Sequence, residues 1–155
     1  MELRRKFYDI LKNWKSKSNG KSALLIQGAR RIGKSYIAEK FAQKEYKSYI
    51  LIDFNKVSDK VKNLFDDLED LEYIFLYLQT HYHVTLTERQ SLIIFDEVQK
   101  CPQARQAIKY LVADGRYDYI ETGSLISIKK NVTAFRSQKT ADNSERGCFT
   151  TSRRS

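Results

Sequence analysis

Residues 28 to 35 read Gly-Ala-Arg-Arg-Ile-Gly-Lys-Ser and match the pattern G-x-x-x-x-G-K-[ST] at every fixed position. Each fixed residue type suits phosphate binding. Gly28 and Gly33 let the backbone bend so that successive N–H groups converge on an anion. Lys34 brings a point charge for β- and γ-phosphates, and Ser35 brings a hydroxyl for the magnesium that travels with them. A second group lies far along the chain, where Leu92-Ile93-Ile94-Phe95 runs straight into Asp96-Glu97. Two carboxylates after four apolar residues are costly unless they meet a cation at the end of a strand. Asp96 is therefore expected to hold the magnesium opposite Ser35, directly or through water. Glu97 is expected to orient the attacking water or take its proton.

Thr122 and Ser124 form a third, weaker group. Either hydroxyl could reach the attacking water or the γ-phosphate, but Thr-Gly-Ser is also ordinary turn chemistry. His81 and His83 form a His-x-His pair with no third ligand nearby in the sequence, and on a helix their side chains would point apart. A helix-end or surface role is expected of them rather than a metal site.

These residues can act together only if regular elements gather them. Ala23 to Gln27 is a short apolar run without polar alternation, the pattern of a parallel strand covered on both faces. From Lys34 to Ala42 the residues Ile37, Ala38 and Phe41 recur at helical spacing, so the glycine loop joins a strand to a helix N-terminus, itself favourable to anions. Leu3, Phe7, Ile10, Leu11 and Trp14 predict an amphipathic helix over residues 2–15. Residues 49–54 read as a second buried strand, and 58–84 as two helices broken near Asp67. Pro102 opens a helix that stops at Gly115, and residues 117–121 form a fourth strand ending in Thr122-Gly123-Ser124. Strands alternating with helices indicate an α/β fold with a mainly parallel sheet.

At 155 residues the chain holds one domain at most, and its 41% hydrophobic and 12% aromatic content is that of a globular protein. No apolar run approaches the length of a membrane span, and there is no signal-peptide pattern. Cys101 and Cys148 lack metal-type spacing and are expected to be free thiols in a reducing cytoplasm. The net charge of +9 raises nucleic-acid binding as a partner class. However, residues 129–155 alone carry seven Lys/Arg against two Asp/Glu, leaving the rest at only +4. Charge by itself supports that partner weakly.

Ala23 to Lys34, Ile93 to Gln99 and Gly115 to Ser124 together resemble prokaryotic AAA-type ATPases with a C-terminal domain of unknown function. The resemblance covers about residues 1 to 130. It implies a P-loop NTPase three-layer sandwich, with ATP and Mg as ligands and the first strand between the fourth and a fifth. It makes Gly28, Ala29, Arg30, Arg31, Ile32, Gly33, Lys34, Ser35 and Tyr36 the nucleotide-binding loop, known as Walker A, and Asp96-Glu97 the Walker B pair. Ser35 and Asp96 are then the metal residues. Lys34, Glu97, Thr122 and Ser124 are the catalytic set, with Thr122 to Ser124 as a sensor segment. Adenine over guanine rests on the resemblance alone.

The resemblance ends near Val132. Residues 1–132 are expected to form the ATP-binding domain, with its nucleotide-binding core at 21–130. Residues 133–155 are expected to be a divergent, disordered polar tail from a truncation or frameshift. On that reading the fold is incomplete at its C-terminal end. The first strand keeps an exposed edge, and the helical lid and arginine finger are missing. Arg105 and Arg116 are the remaining arginine candidates, with surface positions or ion pairs the plainer expectation for both. The functional alternative is a nucleotide-binding switch or binding module with little hydrolysis, possible nucleic-acid association included.

Overall fold

A computed structural model of the chain describes residues 2–28, 33–124 and 148–153. In chain order its elements are α1 (Glu2–Ser18), β1 (Ser22–Gly28), α2 (Lys34–Glu45), β2 (Ser48–Asp53), α3 (Asp59–Asn63) and α4 (Leu71–Tyr82). They are followed by β3 (Ser91–Asp96), α5 (Pro102–Asp114), β4 (Asp118–Ser124) and β5 (Cys148–Arg153). Two short 3-10 turns, Leu64–Asp66 and Val98–Lys100, follow α3 and β3. The break expected near Asp67 falls between the first of these turns and α4, where the Asp70 side chain caps the new helix by accepting from the Tyr73 N–H.

The strands lie in the order β2-β3-β4-β1-β5. The first four are parallel, and all six residues of β3 are buried, as a strand covered on both faces requires. Side-chain alternation divides the core into two layers. Ile93, Phe95 and Tyr119 face α3, α4 and α5, meeting Val61, Phe75, Ile108 and Leu111. Leu92, Ile94 and Ile120 face α1 and α2, meeting Phe7, Leu11, Trp14, Ile37 and Phe41. The result is the α/β three-layer sandwich expected from the sequence.

Two features differ from the sequence reading. Thr122-Gly123-Ser124 is no turn, because β4 continues through it, pairing Ile26 with Thr122, Gln27 with Gly123 and Gly28 with Ser124. The backbone hydrogen bonds that a turn would satisfy internally are taken up by β1 instead. The outer edge of β1 is not open either. Part of the stretch read as a disordered tail forms β5, which runs antiparallel to β1 from Ser22 opposite Arg153 to Gln27 opposite Cys148. Phe149, Thr150 and Thr151 are strand-favouring types, and the unpaired N–H and C=O groups of an edge strand are a template for such a segment.

The amino end of β4 is fastened by a polar cluster. Asp118 is buried and accepts from the Tyr46 hydroxyl and from the Arg89 guanidinium, which also donates to the Gly115 carbonyl at 3.0 Å. This fixes the register that carries Thr122 to the carboxyl end of the sheet.

Candidate functional site

The carboxyl ends of β1, β3 and β4 open on the same rim, where parallel sheets present ligand sites. Of the loop after β1, Ala29, Arg30, Arg31 and Ile32 lie outside the described residues. Gly33 resumes the chain at φ 78°, a left-handed conformation that an L side chain adopts with strain, although a Cβ there would meet nothing within 4 Å. Glycine is therefore set at this position by the dihedral rather than by space. The Gly33 carbonyl accepts from the Ile37 N–H at 2.9 Å, and no side chain caps the start of α2. Lys34 is 5% exposed, and its Nζ donates to the Gly28 carbonyl at 3.1 Å, reaching across from one end of the loop to the other. Tyr36 is half-exposed on α2, with the Lys40 ammonium 5.5 Å from its ring centroid.

Ser35 and Asp96 are 61 residues apart in sequence and meet at this rim, where the Ser35 hydroxyl donates to Asp96 Oδ1. Thr122 Oγ1 donates to the same oxygen at 2.7 Å and accepts from the Glu97 N–H at 3.0 Å. One hydroxyl thus joins the ends of β3 and β4. The Asp96 pKa is raised because burial disfavours its charge, and the nearby Asp53 and Glu97 carboxylates add to this. The Ser35 and Thr122 hydrogen bonds act in the opposite direction. Thr122→Val keeps the side-chain shape but strips the Glu97 N–H of its acceptor and Asp96 of a donor. It is expected to lower stability by about 1–3 kcal/mol, read from denaturant unfolding curves.

Glu97 sits at φ 56° and ψ 51°, a left-handed conformation rare for a residue with a side chain. It opens the Val98–Lys100 turn, in which the Gln99 Nε2 donates to Glu97 Oε2 at 2.6 Å. Ser124 lies opposite Gly28 at the rim, half-buried.

Both candidate arginines are held in ion pairs. Arg116 pairs with Glu72 and Asp114. Arg105 and Glu121 form a buried pair at 3.1 Å on the α5 face of the sheet. Sequence reading missed Glu121 and Gln99. Glu121 lies inside a strand pattern that periodicity reads as apolar, and Gln99 closes the Ile93–Gln99 stretch without a role of its own. Burial of the Glu121 carboxyl outweighs the attraction of Arg105 and pushes its pKa up to about 7, from an ordinary 4.5. Such a group binds a proton more readily folded than unfolded. Its stabilising contribution is full below pH 4.5, falls as pH rises, and is gone above about 7. Glu121→Gln is expected to flatten that part of the stability profile, measured by unfolding at a series of pH values. An unchanged slope would count against it.

His81 is exposed and stacks on Tyr77, and His83 takes the left-handed conformation that ends α4. Among the described residues no cluster of three or more His, Cys, Asp or Glu could hold a metal by itself. Cys101 is a free, buried thiol whose pKa is raised by burial, while the side chain of Cys148 lies outside what the structure describes. No described helix is long and apolar enough to cross a membrane.

A parallel α/β sandwich with a glycine-lysine-serine loop facing an aspartate on the rim defines the class of P-loop nucleotide-binding proteins. Within that class the AAA domain profile matches residues 20–142, and the chain belongs to the AAA domain family. The match begins after α1 and ends inside the stretch read from sequence as a tail. Comparison with curated proteins and with solved structures returned no significant match.

Proposed function

We propose that this chain is a magnesium-dependent ATPase module with its site between the loop at Gly28–Ser35 and the acidic end of β3. The observation that carries the reading is the hydrogen bond from Ser35 to Asp96, beside a buried lysine that starts the same helix. A hydroxyl and a carboxylate are hard oxygen donors. Magnesium suits such a sparse set because it takes one or two protein ligands and completes its shell with phosphates and water. When bound, it would neutralise charge on the β- and γ-phosphates.

The remaining work falls to side chains and backbone. Lys34 and the loop N–H groups hold phosphate oxygens, and Ser35 and Asp96 hold the metal. Glu97 takes the proton of the attacking water, and Thr122 and Ser124 line the same rim. Thr122 serves chiefly by fixing the Glu97 backbone and the Asp96 carboxylate, because its hydroxyl is engaged with both.

A second reading, a nucleotide-dependent binding switch with slow hydrolysis, is favoured by one specific observation. Arg105 and Arg116, the two candidate arginines among the described residues, are engaged in ion pairs. Lack of an arginine finger can reduce turnover by a thousandfold or more. An ATP titration with and without magnesium, paired with a phosphate-release assay, tests both readings. Saturable binding with release supports the ATPase, binding with negligible release supports the switch, and failure to bind ATP sinks both.

A further inference from the structure

The carboxylate proposed to take the proton of water is held by Gln99, to which neither the motif spacing nor the resemblance assigns a role. Glu97 has its backbone pinned at both ends. Its N–H donates to Thr122 Oγ1 at 3.0 Å, and its carbonyl accepts from the Lys100 N–H at 3.0 Å. What remains free is the side chain, whose long stem allows the carboxylate many orientations. Gln99 removes that freedom by donating from Nε2 to Glu97 Oε2 at 2.6 Å. Glu97 Oε1 carries no hydrogen bond among the described residues, so one oxygen is fixed and the other is left to accept.

The mount of Gln99 is rigid. It stands in the Val98–Lys100 turn between fully buried Val98 and Cys101, and the turn is closed by the Cys101 N–H donating to the Val98 carbonyl at 3.0 Å. The other end of the same amide carries a second observation. Gln99 Oε1 is buried without a hydrogen-bond partner among the described residues. A buried acceptor left unsatisfied opposes folding. Flipping the amide would set its oxygen against the carboxylate, so the Glu97 contact dictates the orientation that strands Oε1. A side chain selected only for stability at this position would not carry that penalty.

We infer that Gln99 is a positioning residue that aims the Glu97 carboxylate at the attacking water. This rests on the proposed role of Glu97. Gln99 acts through Glu97, and its loss should affect the chemical step rather than binding.

The test is Gln99→Met, which keeps the length and bulk of the side chain while removing both the donor and the stranded acceptor. The expected result is a Tm equal to or above that of the unsubstituted chain, measured without nucleotide. ATP affinity and KM should stay within about twofold while kcat falls at least about tenfold, the order expected when a reacting group loses its alignment. Adding Gln99→Met to Glu97→Gln should produce no further loss of kcat.

A lowered Tm with a parallel loss of kcat would make Gln99 merely structural and overturn the inference. An unchanged kcat, or a loss that persists in the Glu97→Gln background, would overturn it as well. The two readings fail separately. If Glu97→Gln abolishes turnover and Gln99→Met does not, only the role of Gln99 falls. If Glu97→Gln retains turnover, or the unsubstituted chain releases no phosphate, the role of Glu97 falls and the inference falls with it.

Discussion

Lys34→Ala is expected to weaken ATP binding by about a hundredfold or more, the order seen when one partner of a buried, hydrogen-bonded charge pair is truncated. The lysine is 5% exposed and spans the loop to the Gly28 carbonyl. Its ammonium is thus held where water screens it poorly, and its attraction for phosphate is correspondingly strong. The same substitution removes the hydrogen bond to the Gly28 carbonyl, worth about 1 kcal/mol of stability. The fold should survive with a modestly lower melting temperature. Calorimetric titration with magnesium and ATP, run beside a thermal melt, separates lost binding from lost structure. Unchanged affinity in a folded variant would overturn the assignment of the loop.

Glu97→Gln should have the opposite profile. The amide is isosteric with the carboxylate, and the contact from Gln99 can be retained because an amide oxygen also accepts. The left-handed backbone at φ 56° is left as it was. ATP should bind within a few-fold of the unsubstituted chain, since the loop and Ser35 are untouched. Turnover should fall by about 10²–10⁴, the usual contribution of a positioned acid or base. Phosphate release measured at saturating ATP decides the matter. Turnover at the original rate would move the proton acceptor elsewhere, and Asp53, paired in register with Asp96 at the end of β2, would be the next carboxylate to test.

Much of this site is legible in sequence because its parts depend on local rules. A glycine at positive φ, a lysine and a hydroxyl at fixed spacing, and a strand ending in acids each have their cause within a few residues. The hydrophobic periods of α1, α2 and α5 located those helices for the same reason, since burial of Phe7, Phe41 and Ile108 follows directly from spacing. Thr122 was placed at the end of the fourth strand with a Thr-Gly-Ser turn as the alternative, and the strand in fact continues through it. Composition cannot distinguish a Thr-Gly-Ser turn from a strand end when a neighbouring strand supplies the hydrogen bonds. The β5 strand was misread because its segment is polar, and a polar segment gains order only when an edge is waiting for it.

The chain by itself therefore determined the α/β class, the loop proposed to bind phosphate and the acids proposed to work beside it. Those features are written in nearest-neighbour spacing and in the contrast between apolar and charged residues. Only the tertiary structure decided which hydroxyl touches which carboxylate. Ser35 opposite Asp96 was already expected from the motifs, but the structure alone set Thr122 between Asp96 and Glu97 and buried Glu121 against Arg105. The reason is that side-chain hydrogen bonds form wherever the sheet order places their partners. Sheet order is set by the packing of the whole chain and not by any stretch of it.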